Sequence, residues 1–540
     1  MFRPSTAGSA IALSVRVLAE SFVSNLQTKM NANMRQLMLL FGLLVAAGCA
    51  RGQELSLSDL LSLNRVTFGA TVHDIEAWRS LGRDGYFDRE LAFHGDEDLP
   101  AEALSFIDAL PVSHARSQDL AAQLREARRS GQGKPEEQKR EMVKALRKDF
   151  AELDFQAFER RSARALYSPH QLQEMLTWFW FNHFNVFQNK KQVLFLLPDY
   201  EEHAIRPHVL GKFRDLLRAV LMHPAMLVYL DNAENARDAI NENYARELME
   251  LHTLGVNGGY VQADVQALAH ILTGAGIDLS TRPDGTYGDY FKQGLFAFYP
   301  NRHDPGPKTF LGHDFRGERG FSEIDRAIDI LCRHPSTARF VSRKLAVYFL
   351  ADEPPQDLLD RMAAAFARTD GDIAATLRVL FASREFSDPA YAGKKFKDPV
   401  QYVYSSIRLL YPQQVLRNYR PLTGALQQLG EPVYGHQTPD GYGMRERDWA
   451  SSDQLEKRFE LAHGFVAGRA RLFVTKDEID AGVDPARMAG VRDAHPVDRA
   501  AMEPLVAPLL SQRTRDTLAK AANAEEWAAL LLSAPELMYR

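Results

Sequence analysis

Helical spacing of apolar residues, broken by three regions rich in glycine and proline, constrains the fold of this chain most strongly. In residues 71–92, Ile75, Trp78, Leu81 and Phe87 fall close to the spacing of one helix face. The same kind of spacing predicts helices in 115–165 (with a break at 131–135), 170–187, 201–230, 241–254, 262–273, 322–350, 356–382 and 397–410. The pattern therefore predicts a mainly α protein.

The interruptions are predicted to be loop insertions, at 274–320, 420–450 and 473–498. In the first of them Phe296 and Phe298 alternate, and residues 308–311 are expected to return as the second strand of a small β-hairpin. The expected architecture is one large multi-helix domain over 57–540, with a small β-hairpin and long loop insertions near 274–320 and 420–450.

Composition excludes several classes of protein. The 540 residues are 45% hydrophobic and 25% charged, which is typical of a globular chain and not of a disordered one. The formal net charge of −5 provides no basic excess, so we expect no nucleic-acid partner. The only cysteines, Cys49 and Cys332, exclude a disulfide framework and a cysteine-based zinc site, and Cys332 is expected to be buried.

The N-terminal region indicates export. A basic start at Met34 is followed by an apolar stretch of roughly a dozen residues, which suits a signal peptide and is too short to span a bilayer. The stretch ends in Ala-Ala-Gly-Cys at 46–49, which resembles a bacterial lipobox with Ala46 where leucine is commoner. The sequence therefore predicts a lipoprotein signal peptide at 34–48 and lipidation at Cys49.

The predicted signal peptide defines the remaining N-terminal boundaries. Residues 1–33 are interpreted as a mis-annotated extension, and 49–56 as a tether. Ala50 is not the aspartate that commonly retains lipoproteins in the inner membrane. We therefore expect a cell-envelope protein, attached to the outer membrane by its lipid anchor only.

Several long motifs carry a family resemblance. They are LNRVTFG at 63–69, WFNHF at 180–184, NENYARELMELHTLG at 241–255, LTG at 272–274, HDPGPKTFLG at 303–312 and HPSTARF at 334–340. Together they closely resemble the bacterial "domain of unknown function 1800" family, from about Leu60 to the C-terminus. The resemblance implies a mostly α-helical exported protein with no established reaction and a sulfatase-like exported partner. Ala275 stands where the family commonly has an aromatic residue.

The polar arc of the predicted helix 241–254 supplies the first candidate residues. Asn243, Arg246 and Glu247 share this arc with Glu250, whereas His252 falls on the apolar arc. Two interpretations of this arc remain open. It is an ion-paired, solvated face, or it faces a cavity in which Asn243 and Glu247 bind a substrate. His252 is interpreted as a hydrogen-bonded core residue.

His183 lies on a helix that is aromatic nearly all round. Such a helix is expected to be buried, so His183 must find a partner inside the protein. A buried neutral histidine can be a general base, a metal ligand or a structural hydrogen-bonding group, and the sequence leaves these alternatives open.

Two loops supply the other candidates. His303, Asp304 and Lys308 place a base, a carboxylate and an amine on a loop shaped by proline and glycine, although Asp-Pro also initiates turns. A second polar loop carries His436 and Asp440, with Trp449 beyond it, as groups for substrate binding. We expect His183, Glu247, His303 and Asp304 to converge in one catalytic pocket, and Lys308 is a further catalytic candidate.

Two functions remain open at this stage. The chain is expected to bind or present a secreted partner or polymer at the cell envelope, and the alternative is a hydrolase that acts on an exported polymer through a His/Glu/Asp pocket. No nucleotide-binding, zinc-protease or serine-hydrolase motif is present. The sequence assigns no cofactor and no metal.

Overall fold

Helices make up most of the structure, as the apolar spacing predicts. The computed structural model describes residues 55–96, 98–316, 320–482 and 497–540. The predicted signal peptide, Cys49 and the tether up to residue 54 lie outside the described residues. From Leu57 onward the chain forms one compact unit.

The N-terminal half of this unit contains eleven described α-helices, and one of them begins at Asn243, within the predicted helix 241–254. They are α1 (Leu57–Val66), α2 (Val72–Ala92), α3 (Ala101–Ala109), α4 (Ser117–Ser130), α5 (Glu136–Tyr167), α6 (Gln171–His183), α7 (Val193–Asp199), α8 (Phe213–Met222), α9 (Pro224–Tyr229), α10 (Asn243–Glu247) and α11 (Gln262–Ile271). Two π-helical turns, Tyr200–Ile205 and Leu248–Thr253, continue α7 and α10.

The C-terminal half continues the helical array. Its helices are α12 (Phe321–Arg333), α13 (Pro335–Phe349), α14 (Gln356–Arg368), α15 (Ile373–Phe381), α16 (Arg384–Ser387), α17 (Pro399–Leu410), α18 (Arg420–Gln428), α19 (Glu446–Trp449), α20 (Ser452–Val466), α21 (Lys476–Asp480), α22 (Arg499–Val506), α23 (Gln512–Leu518) and α24 (Ala524–Leu532). Short 3₁₀ turns lie at Pro111–Ser113, Arg206–His208, Asn232–Glu234, Pro389–Tyr391, Ala507–Leu509 and Pro535–Met538.

Histidine and proline shorten two of the predicted helices. The predicted helix 322–350 is two helices that meet at His334, whose Nδ1 accepts the backbone N–H of Ser336 and so caps α13. His223 does the same for α9 through Ala225. In both corners proline occupies the first helical position, where its missing N–H costs nothing.

The insertion at 274–320 contains antiparallel strands, as predicted, but their pairing differs from the predicted one. Four strands, β1 (Ala275–Ile277), β2 (Gly285–Tyr287), β3 (Tyr290–Gln293) and β4 (Phe296–Phe298), form an antiparallel sheet in the order β1-β4-β3-β2. Two more, β5 (Lys308–Phe310) and β6 (His313–Phe315), pair with each other. The predicted pairing of 296–298 with 308–311 is therefore wrong: Phe296 and Phe298 pair with β1 and β3 instead.

Two helices form the centre of the core. Every residue of α6 is buried, as its aromatic composition predicts, and so is every residue of α17. Each large apolar side chain removed from water contributes about 1.5–3 kcal/mol. Cys332 is also buried, as predicted. None of the described helices has the length and apolar character required to cross a membrane.

A buried ionic network fixes the segment that follows α7. Arg161 of α5 pairs with Glu201 at 2.9 Å, and Arg164 pairs with Glu202 at 2.7 Å. Arg206 in turn pairs with Glu174 of α6 at 2.7 Å. Because removal of one partner would leave a buried charge unpaired, the network holds the 200–206 turns against α5 and α6.

Candidate functional site

His183 lies at the C-terminal end of α6 and uses both of its ring nitrogens inside the protein. Its Nε2 lies 3.1 Å from the carbonyl oxygen of His252, so Nε2 carries the hydrogen, and Nδ1 accepts a hydrogen bond from Nζ of Lys344 at 2.8 Å. Burial, and then the charge of Lys344, lower the pKa of His183 well below its usual value. His183 is therefore a neutral imidazole that orients Lys344.

Lys344 extends from α13 to His183 and is only partly exposed. Burial lowers the pKa of Lys344 to about 8, although the negative charge of Asp440 acts in the opposite direction. An amine with such a pKa is partly neutral near physiological pH. The neutral amine can both donate a hydrogen bond to a ligand and accept one from it.

Glu247 ends α10, where the helix widens into the π-helical turn Leu248–Thr253. Such turns are frequent at functional sites. The half-buried side chain has no hydrogen bond or ion pair within the described part of the chain. Burial raises the pKa of Glu247, and the charges of Glu250 and Asp440 raise it further, although the charge of Arg246 acts in the opposite direction.

Asp440 is held by a loop that is fixed to the end of α6. Asn182 donates its side-chain amide to the carbonyl oxygen of Tyr442 at 3.0 Å, and Asn185 donates to that of Thr438 at 2.8 Å. Hydrogen bonds from Thr438 and His436 outweigh the effect of burial and lower the pKa of Asp440. The α6 helix thus positions His183 and the loop of Asp440 together.

Tyr229 completes the arrangement. Its hydroxyl donates to the carbonyl oxygen of Gln437 at 2.7 Å. Burial raises the pKa of Tyr229, and the charges of both Asp440 and Glu247 add to that rise. Tyr229 is therefore within electrostatic range of both carboxylates. We call Glu247, Asp440, Tyr229 and Lys344 the carboxylate cluster.

The two acidic residues of the cluster have opposite pKa shifts. The environment of Glu247 favours the protonated carboxyl, whereas that of Asp440 favours the carboxylate. Two acids whose pKa values are shifted in opposite directions can act as proton donor and proton acceptor, respectively. The arrangement is suited to acid–base cleavage of a bond in a ligand that reaches both groups.

The other residues predicted on the polar arc of 241–254 are tied to protein groups. Asn243 donates its amide to the carbonyl oxygen of Leu230 at 3.2 Å. Arg246 lies 3.1 Å from a carboxylate oxygen of Glu242 and 3.6 Å from one of Glu250, on a solvated face. Both residues belong to α10, the short helix that also carries Glu247. Both side chains already have hydrogen-bond or ion-pair partners within the protein.

The residues predicted for substrate binding in the 436–449 region have supporting contacts. His436 lies 3.2 Å from Asp440 and packs against the ring of Tyr442. Trp449 is buried, and its indole N–H donates to the carbonyl oxygen of Gly443 at 2.8 Å. Because Trp449 is enclosed, it supports the loop and presents no open ring face for stacking on a ligand.

His303, Asp304 and Lys308 form a second group with its own partners. His303 Nδ1 lies 2.9 Å from the carbonyl oxygen of Thr273, and Lys308 pairs with Glu323 at 2.7 Å. Asp304 lies 2.6 Å from Nδ1 of His270. Within the described ranges, no hydrogen bond, ion pair or ring contact joins these three residues to His183 or Glu247. A hydrogen bond joins His183 to Lys344, and the charge of Asp440 acts on both Lys344 and Glu247. The convergence of His183, Glu247, His303 and Asp304 in one pocket stays a prediction.

His252 is fully buried beside His183, with 5.9 Å between the ring centroids. Burial lowers the pKa of His252 to about 3, so the ring is neutral. Neither ring nitrogen has a hydrogen-bond partner in the described part of the chain, so the predicted core position is found without the predicted hydrogen bond. No group of three or more His, Cys, Asp or Glu side chains among the described residues is arranged to hold a metal ion.

Lys344 and Tyr229 are members of the cluster that the sequence reasoning missed. Lys344 follows Val341 by three residues and precedes Tyr348 by four, so it lies on the apolar face of α13. A lysine within an apolar stripe is the sequence signal that could have identified Lys344. Tyr229 has no comparable signal, because its role depends on the contact with Gln437.

Comparison with known proteins gives the family and nothing finer. No curated protein and no solved structure matches the chain. The family model described as "Protein of unknown function (DUF1800)" matches residues 62–539, which include α6, α10 and the loop of Asp440. The chain therefore belongs to the DUF1800 family.

Proposed function

We propose that this protein is a hydrolase of an exported polymer and that Glu247 and Asp440 are its acid and base. The observation that carries the proposal is that the pKa values of these two residues are shifted in opposite directions, while the charges of both act on Tyr229. Paired acids of this kind cleave glycosidic bonds in many enzymes, so a glycan is the polymer we favour.

The proton transfers follow from the two environments. Protonated Glu247 donates its proton to the leaving oxygen as the glycosidic C–O bond breaks. Asp440 accepts a proton from the water whose oxygen forms the new bond to the sugar carbon. The products are two shorter glycans, and exchange with solvent returns the proton from Asp440 to Glu247. Positioned acid–base groups of this type contribute about 10²–10⁴-fold each to a rate.

Lys344 and Tyr229 have supporting roles in this proposal. The hydrogen bond from Lys344 to His183 directs the amine toward the site, where its positive form stabilises negative charge near Asp440. The hydrogen bond from Tyr229 to Gln437 holds the Asp440 loop against α9. Both hydrogen bonds hold groups of the site in fixed positions, and an acid–base pair requires fixed positions.

The test measures cleavage and binding separately. Purified protein is incubated with cell-wall and capsular glycans extracted from the producing cells, and new reducing ends are counted. We expect Glu247→Gln and Asp440→Asn each to lower turnover by at least about 100-fold while glycan binding is retained. Glu242→Gln is the matched control, since Glu242 lies beside α10 and pairs with Arg246 on the solvated face; it should cleave like the wild type. Equal activity of Glu247→Gln and the wild type would contradict the proposal.

A second candidate function uses the same residues without cleavage. The side chain of Asp440 is 61% exposed, so a large partner can reach it. In this alternative the protein binds or presents a secreted partner or polymer, and the sulfatase-like exported protein implied by the family resemblance is the partner to test. Saturable binding without any turnover, weakened by Asp440→Asn, would favour this function over hydrolysis.

The proposed location follows from the sequence alone. We propose that the protein is exported, lipidated at Cys49 and anchored at the outer membrane by that lipid. The basic residue at Arg35, the apolar stretch and the small residues before Cys49 support this location. An envelope location would place the carboxylate cluster beside exported polymers.

A further inference from the structure

A cavity of about 520 Å³ lies apart from the carboxylate cluster. It is formed by the start of α4, the end of α7 with the turns that follow, the corner between α8 and α9, and the turn between β3 and β4. Its volume lies within the range of pockets that hold small ligands or a few units of a polymer. None of the residues predicted from the sequence to form a site lines it.

One wall of the cavity carries a chain of hydrogen bonds that fixes two histidine rings. The backbone N–H of Ala225 donates to Nδ1 of His223, so the hydrogen of the neutral ring is on Nε2, which lies 3.0 Å from Asp199. The other oxygen of Asp199 lies 2.7 Å from Nδ1 of His203, so that nitrogen is the donor. His203 is left with Nε2 directed away from its partner and available to a ligand.

The carboxylate stabilises this arrangement. Burial opposes ionisation of Asp199, but hydrogen bonds from His203 and His223 outweigh it and hold the pKa of Asp199 far below its usual value. The hydrogen bond to Asp199 raises the pKa of His203. Nε2 of His203 is therefore an acceptor at high pH and a donor at low pH. A hydroxyl group, which can both donate and accept, suits either state.

A second wall supplies a polar group at the rim. Gln118, the second residue of α4, lines the cavity and carries an amide that both donates and accepts. The hydroxyl oxygen of the preceding Ser117 is enclosed by protein and does not open on the cavity.

The charges around the cavity disfavour an anionic ligand. Arg218 pairs with Asp325 at 2.7 Å, so its charge is already balanced. Asp199 and Asp215 add negative charge to the lining. The remaining surface includes apolar groups from Met222 and Phe296. A neutral ligand with several hydroxyl groups and one apolar face fits this combination of groups best.

We propose that this cavity is a second binding site, for a neutral hydroxyl-rich ligand of the sugar class, in which His203 and Gln118 bind hydroxyl groups of the ligand. The site is independent of the hydrolase proposal, because its residues do not include any member of the carboxylate cluster.

The experiment titrates the purified protein with glucose and with N-acetylglucosamine, measures the affinities of all variants by isothermal titration calorimetry, and follows the imidazole proton signals of His203 by NMR in the proteins that retain it. We expect saturable shifts with at least one of the two sugars. His203→Ala and Gln118→Ala should each weaken binding by about tenfold, the loss expected for one hydrogen bond. Glu247→Gln should bind like the wild type, so the outcome is separate from that of the proposed hydrolase activity.

Two controls make the result decisive. His463→Ala removes an exposed histidine from α20, outside the cavity, and should leave binding unchanged. Inorganic phosphate is the anionic probe and should produce no saturable shift of His203. The proposal would be overturned by the absence of saturation with both sugars, by tighter binding of phosphate, or by equal sugar binding in His203→Ala and the wild type.

Discussion

Lys344 is the residue whose chemistry depends most on its surroundings. On a solvated helix face it would be an ordinary cation, but here its amine reaches the Nδ1 of a buried neutral histidine. Burial of the ammonium lowers its pKa to about 8, and the carboxylate of Asp440 limits the decrease. The proton affinity of this amine therefore reports directly on the geometry of the carboxylate cluster.

Titration of Lys344 tests that geometry. After reductive methylation with ¹³C, its NMR signal should titrate with a midpoint near pH 8, below that of the exposed lysines. Because Asp440 raises the pKa of Lys344, Asp440→Asn should lower the midpoint further. Asp453→Asn is the control, since Asp453 pairs with Lys457 on α20 and should leave the midpoint unchanged. An ordinary lysine midpoint in the wild type would contradict the arrangement.

Asp154 tests the cost of burying an unpaired acid. It lies on α5, is buried, and neither carboxyl oxygen has a hydrogen-bond partner among the described residues. Burial raises the pKa of Asp154 well above its usual value. The protonated form therefore favours folding, and the wild type loses this stability as pH rises above the pKa of the unfolded chain, about 3.9.

Denaturation at two pH values checks the sign. We expect Asp154→Asn to be more stable than the wild type by about 1–3 kcal/mol at pH 7, with no difference once the pH is below about 4. Asp149→Asn, on the exposed face of the same helix, should change little at either pH. A destabilised Asp154→Asn at pH 7 would show that the charge has a partner in solution.

The contact between α6 and the 436–443 loop is the element on which the cluster depends. Asn182 exchanges two hydrogen bonds with Tyr442, and Gly441 lies against the backbone of Asn182. Gly441 has a φ of +72°, and a Cβ there would collide with the carbonyl oxygen of Asn182. Only glycine allows this close approach.

Replacement of this glycine should detach the loop. We expect Gly441→Ala to cost about 1–2 kcal/mol for the left-handed backbone and about 1–3 kcal/mol more for the collision, with loss of activity. Gly430→Ala is a matched control, because Gly430 has a φ of +80° but a Cβ there would lie 3.8 Å from its nearest neighbour, Gln454. Thermal melts and turnover of both variants should separate them; equal effects would show that the loop contact is unimportant.

Most elements could be predicted from the sequence because their apolar spacing is local information. The break at 131–135 separates α4 from α5, and the aromatic helix α6 is buried as its composition requires. Strand pairing was less accessible: β4 pairs with β1, about twenty residues earlier in the chain, as well as with its neighbour β3. The π-helical turn after Glu247 was not visible either, because its backbone shift leaves no mark in residue type.

At the scale of the whole molecule, the sequence predicts export. Replacement of Cys49 by serine should abolish lipidation, since serine provides no thiol for lipid attachment. We expect the variant to remain as unprocessed precursor or to be released as soluble protein, measured by membrane fractionation and by mass spectrometry of the N-terminus. Cys332→Ser is the control and should retain normal processing. Equal, unlipidated membrane association of wild type and Cys49→Ser would contradict the prediction.

The candidate site could be predicted only in part. His183, Glu247 and Asp440 were identifiable as polar groups within specific motifs; a hydrogen bond joins His183 to Lys344, and the charge of Asp440 acts on Lys344 and Glu247. His303 and Asp304 looked equivalent in sequence, but their contacts with Thr273 and His270 form a separate group. Residue type shows which groups can react, whereas distance along the chain says nothing about which of them meet.

The pH dependence of glycan cleavage tests the acid–base pair most directly. Activity should be bell-shaped, with an acidic limb from Asp440 and an alkaline limb from Glu247. Because the charge of Glu250 raises the pKa of Glu247, Glu250→Gln should move the alkaline limb to lower pH and leave the acidic limb in place. An alkaline limb that does not move in Glu250→Gln, or a rate that does not depend on pH, would contradict the assignment of Glu247 as the acid.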